Sequence, residues 1–104
     1  MGIREIEYEV DGTVFSGQLH GDGGPRPAVA VCHAWGGRDD FACDVAGRLA
    51  ALGYAGFAMD VYGKGVRGGD AAENQALMTP LVEDRALLGR RLAAGIEALR
   101  AQPE

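Results

Sequence analysis

The residues of this chain that could do chemistry gather at the end of one apolar run. Ala28-Val29-Ala30-Val31-Cys32 leads into His33-Ala34-Trp35-Gly36-Gly37-Arg38-Asp39-Asp40. A strand that ends in a Gly-Gly turn and hands over to an acidic helix start delivers backbone N–H groups to the carboxyl end of an open α/β sheet, where ligands bind in such folds. Cys32 beside His33 invites a Cys–His dyad, but strand neighbours point to opposite faces and cannot share a proton. Cys32 therefore reads as a small core residue, His33 as a side chain that orients the loop by hydrogen bonding, and Cys43 as a structural or surface thiol. Asp39 and Asp40 could form an acid pair, yet capping of the following helix accounts for both. Asp60, at a second strand end, reads as a turn former with Tyr62 and Gly63. His20, in a Gly/Pro loop without a partner, reads as exposed. No His/Cys cluster has metal-ligand spacing, and neither G-x-S-x-G nor G-x-C-x-G, the sequence of a nucleophile elbow, occurs in the chain. No metal and no cofactor are expected.

The elements that must position these residues follow from hydrophobic period and turn chemistry. Ile6, Tyr8 and Val10 alternate with Glu5, Glu7 and Glu9, the pattern of a half-exposed strand. Asp11-Gly12 is a hairpin turn signal, and Val14 to Leu19 returns, so residues 1–20 read as an edge hairpin with its glutamates in water. His20 to Pro27 reads as a loop. Residues 28–60 read as a right-handed βαβ unit. Its first strand, Ala28 to Cys32, is apolar on both faces and is expected at the centre of the sheet. Its helix, Phe41 to Leu52, is capped by Asp39 or Asp40, buries Phe41, Val45, Leu49 and Leu52, and ends at Gly53. Its second strand, Ala55 to Met59, finishes at Asp60. Residues 61–78 read as a glycine-rich loop and a short helix capped by Asp70. Thr79-Pro80 then starts a long helix over 79–101, with Leu81, Leu88, Leu92, Ile96 and Leu99 buried and Arg85, Arg90, Arg91 and Arg100 mostly toward solvent. The fold class is α/β, and a crossover helix implies a further parallel strand after Glu104.

Composition narrows the function classes. A 47% hydrophobic, 104-residue chain is one domain or part of one. Its formal charge of −5 argues against nucleic acid or an anionic membrane as partner, since both demand a basic face. Two cysteines make no disulfide framework, and no window approaches the ~18 apolar residues of a membrane span. A cytoplasmic, reducing setting is expected.

Residues 27–103 resemble the N-terminal half of the dienelactone hydrolase family of α/β-hydrolases. The resemblance rests on His33 to Asp40, on Arg48-Leu49-Ala50-Ala51-Leu52-Gly53-Tyr54, on Met59-Asp60-Val61-Tyr62-Gly63-Lys64-Gly65, and on Met78-Thr79-Pro80 with Glu83-Asp84-Arg85-Ala86-Leu87-Leu88. It implies a Cys–His–Asp hydrolase of esters or lactones whose nucleophile, acid and base all follow Glu104. It also implies that the Trp35 backbone N–H supplies half of an oxyanion hole, while the indole walls the acyl pocket. Two departures stand out. Many members carry a glutamate where this chain has Ala34. Members that bind a carboxylated lactone use an arginine where Lys64 falls, and lysine lacks the planar two-point grip. Both favour a broader esterase, with Trp35 and Lys64 as the substrate-binding residues. The expected partner is then a small ester or lactone, and the 104-residue chain alone is expected to be inactive. Alternatively, the chain is a non-catalytic assembly or binding module, pairing through an open sheet edge with a second copy or a C-terminal half.

Overall fold

A computed structural model describes residues 2–104. The hairpin comprises β1 (Gly2–Val10) and β2 (Thr13–Gly21), antiparallel in register from Gly2↔Gly21 to Val10↔Thr13. Asp11 at φ 51° and Gly12 at φ 84° form its turn, the double positive φ that matches strand twist. Next come β3 (Ala28–Val31), α1 (Asp40–Ala51) and β4 (Ala55–Ala58), with β3 and β4 parallel. Two helices close the chain, α2 (Ala71–Glu83) and α3 (Arg85–Arg100). The sheet order is β1-β2-β4-β3.

Residues of β4 alternate between two packed layers. Ala55, Phe57 and Met59 join Leu19 and Leu99 in a core under α3, with Tyr8, Leu92 and Ile96 around it. Ala58 joins Ala42 and Ala46 of α1. At Gly56 the helix comes so close that a Cβ would lie 2.9 Å from the Ala46 Cα and overlap its carbonyl oxygen.

That contact corrects the expected face of α1. Its buried residues are Ala42, Ala46 and Ala50, whereas Phe41 and Leu52 are 70% and 75% exposed. Only small side chains fit where the backbones meet. Both helix ends match expectation: the Asp39 carboxylate accepts from the Ala42 N–H, and Gly53 at φ 101° closes a Schellman pair of bonds with Tyr54.

Four other expectations change. Among the described residues β3 has β4 as its one sheet neighbour, and Cys32 just beyond it is exposed rather than core. β2 runs on to Gly21, placing His20 in the ladder opposite Gly56, half-buried against Gly47 instead of in a loop. The long terminal helix begins at Arg85, not Thr79. The Thr79 hydroxyl donates back to the Gln75 carbonyl, so α2 continues through Pro80 to Glu83, and Asp84 caps α3 through the Leu87 N–H. On α3, Arg91 is not a solvent residue: its guanidinium lies 5.0 Å from the Phe15 ring centroid and donates to the Val61 carbonyl.

Candidate active site at the strand tips

The two parallel strands end side by side, and their following loops are tied together by polar contacts. Asp60, 2% exposed, is the anchor of the second loop. One carboxylate oxygen accepts from the N–H groups of Tyr62 and Gly63, and the other accepts from Ser16 on the hairpin. The Tyr8 hydroxyl donates to the Asp60 carbonyl at 2.7 Å and accepts from its N–H at 3.0 Å. Burial pushes this phenol up to about 12. The turn-forming reading of Asp60 thus extends to a four-element junction.

In the first loop, Gly37 N–H donates to the Ala34 carbonyl, closing a turn around Trp35 and Gly36. Gly37 adopts φ 99°, where a Cβ would also stand 3.1 Å from the Val66 carbonyl oxygen. Glycine is required there. The Gly36 carbonyl accepts from Gly68, and the Arg38 guanidinium reaches back to Glu5 on β1 at 2.8 Å. Burial works against the charge of Glu5, but bonds from Arg38 and Ser16 outweigh it and lower its pKa.

His33 joins the two loops. Its Nε2 accepts from the Val61 N–H at 3.1 Å, so Nδ1 carries the ring proton and donates to the Ala34 carbonyl at 2.7 Å. Both nitrogens are engaged, which leaves neither to deprotonate Cys32. The Tyr62 ring packs 4.9 Å from the imidazole, and its hydroxyl donates to the Trp35 carbonyl at 2.8 Å. Among the described residues no acceptor takes the Trp35 N–H. Sequence reasoning placed Tyr62 in a turn but missed its bond to Trp35; the aromatic at the third position of Asp60-Val61-Tyr62 was the available signal.

A cleft of about 210 Å³ opens here, walled by His33, Ala34, Trp35, Val61 and Tyr62 on one side and by Met78, Leu81, Val82 and Leu88 on the other. Hollows of about 410 Å³ lie under the β3 edge and along α2 and α3. Both are larger; the first faces away from the strand tips, the position that open α/β sheets use for ligands, and the second adjoins the cleft, sharing Leu81, Val82 and Leu88 with it. Lys64 is not brought to the cleft. Its ammonium pairs with Glu7 at 2.5 Å, which raises its pKa. Cys43 is half-buried on α1, and burial pushes its thiol up. Asp39 caps a helix, and no group of three or more His, Cys, Asp or Glu among the described residues could hold a metal ion. No helix among them is long and apolar enough to cross a membrane.

The family model for dienelactone hydrolases matches residues 14–104. The chain belongs to the dienelactone hydrolase family. Among solved structures, it is 37% identical to a dienelactone hydrolase-like promiscuous phosphotriesterase from metagenomic libraries, with a TM-score of 0.91. It is 40% identical to another described as "m3DLH", with a TM-score of 0.92. In both comparisons 99% of this chain is covered, but only 44% of the other. The chain therefore spans less than half the length of these relatives. No curated protein matches it.

Proposed function

We propose that this chain is the oxyanion-loop portion of a dienelactone-hydrolase-type enzyme acting on small carboxylic esters or lactones in the cytoplasm. The observation behind this reading is the Trp35 N–H, which has no acceptor among the described residues and sits at the strand tips beside an apolar cleft. A thiolate supplied from outside the chain attacks the carbonyl carbon. The Trp35 N–H donates to the oxygen as it gains negative charge. Collapse expels the alcohol, and water then releases the acid from the thioester. Such a donor contributes about 10²–10³ in rate because it meets charge that develops only in the transition state. The exposed indole, 43% accessible, forms the outer wall of the acyl site. The family member that acts on phosphotriesters adds a second expectation, since a phosphoryl oxygen gains charge in the same manner. With Lys64 committed to Glu7, uncharged esters are favoured over carboxylated lactones.

Nitrophenyl ester hydrolysis tests this reading. The chain alone should stay at background; mixed with the C-terminal half of a family member, it should gain thiol-dependent turnover. Trp35→Pro, which deletes the N–H, should then lower turnover about 10²–10³-fold while Trp35→Phe retains most of it. Turnover by the chain alone that a reagent on Cys32 or Cys43 abolishes would overturn the proposal. A second reading rests on β3, whose only neighbour among the described residues is β4: the bare edge pairs with a second copy or a complementary half. A monomer in size-exclusion chromatography at micromolar concentration counts against the second copy.

A further inference from the structure

We infer that His33 is the positioning residue of this site, holding and polarising the peptide that carries the Trp35 N–H; this deepens the oxyanion-loop reading and rests on it. The peptide between Ala34 and Trp35 is pinned from its carbonyl end. That carbonyl accepts from Gly37 N–H at 3.1 Å and from His33 Nδ1–H at 2.7 Å. No peptide bond among the described residues is cis. In a trans peptide the N–H points opposite to the C=O, so fixing the carbonyl into the turn aims the Trp35 N–H out of it.

The same two bonds act on strength as well as direction. Each hydrogen bond accepted by a peptide carbonyl draws electron density from its nitrogen and makes the N–H a better donor, by roughly 10–30% per bond. Gly37 supplies one such bond through the backbone. His33 supplies the other, and only in one tautomer. The Val61 N–H is a fixed donor aimed at Nε2, which forces the proton onto Nδ1. Tyr62 holds the ring face and, through its hydroxyl, the next carbonyl along the loop. The second strand-tip loop therefore sets the donor strength of the first, through one imidazole.

Nitrogen-15 NMR of the 104-residue chain tests this directly. Long-range proton–nitrogen correlations should show His33 with Nδ1 protonated and Nε2 bare. His33→Phe keeps a ring but loses both bonds, and should move the Trp35 amide proton upfield. His33→Asn places an amide N–H near the Nδ1 position and should restore most of that shift without reaching Val61. A His33 protonated on Nε2 overturns the inference, and so does a Trp35 amide resonance equally displaced by Asn and Phe. Neither result depends on turnover. An esterase assay that fails while the tautomer is as expected counts against the oxyanion-loop reading alone.

Discussion

The two sides of β4 are closed by opposite means. Toward α3, the large side chains Phe57 and Met59 are fully buried against Leu19 and Leu99. Toward α1, Gly56 and Ala58 let the helix backbone itself come into contact with the strand. One layer is filled by side-chain volume and the other by removing it. The first should therefore fail when atoms are taken away, and the second when atoms are added.

Phe57→Ala should be the largest effect. It empties the centre of the α3 layer and should cost about 3–5 kcal/mol in urea unfolding. Gly56→Ala adds one methyl group on the other face, and the Ala46 backbone cannot rotate aside as a side chain could. It should cost about 1–3 kcal/mol and separate α1 from the sheet. If Gly56→Ala proved neutral, the backbone contact would not be what closes that layer.

The amino ends of the strands provide a smaller test. Glu104 lies under the hairpin, with its carboxylate accepting two bonds from Arg4, at 2.7 and 3.1 Å, and one from the Gly23 N–H at 2.7 Å. Chiefly through the Arg4 bonds, this carboxyl is held down to about 2. Its folded value is below the ordinary ~4.3 of a free glutamate, so its contribution is complete above that pH and is lost as pH falls toward 2. Glu104→Gln should flatten the fall of stability over that window. The effect should stay under about 1 kcal/mol, because the Arg4 side chain is 37% exposed. An unchanged pH slope would show that the knot carries no linkage.

The sequence made one layer of this molecule readable and hid the other. Alternation in β1, the Asp11-Gly12 turn, the Asp39 cap and the Gly53 stop are local codes, and each names a conformation without reference to the rest of the chain. The strand-tip placement of His33, Trp35 and Asp60 was readable for the same reason. The buried face of α1 was not. Choosing Phe41, Val45, Leu49 and Leu52 follows bulk, while the actual choice of Ala42, Ala46 and Ala50 is dictated by Gly56, a residue in another element. Likewise, nothing local tells that Lys64 meets Glu7 of β1. The Tyr62–Trp35 bond is also long-range. The break at Asp84 was the exception, a local cap signal overridden in the reading by Thr79-Pro80.

The outward side of α1 gives the smallest expected effect and the sharpest contrast with Gly56. Phe41 and Leu52 are large and apolar, so their helix period alone ranks them as core, and truncating either would then cost several kcal/mol. At 70% and 75% exposure they have little burial to lose. Phe41→Ser and Leu52→Ser in the 104-residue chain should each change stability by less than about 0.5 kcal/mol. One methyl group added at Gly56 should then outweigh a whole phenyl ring removed at Phe41, fifteen positions away in the same βαβ unit. A loss at Phe41 comparable to that at Phe57 would mean that this face is covered in solution, and that α1 is gripped from both sides.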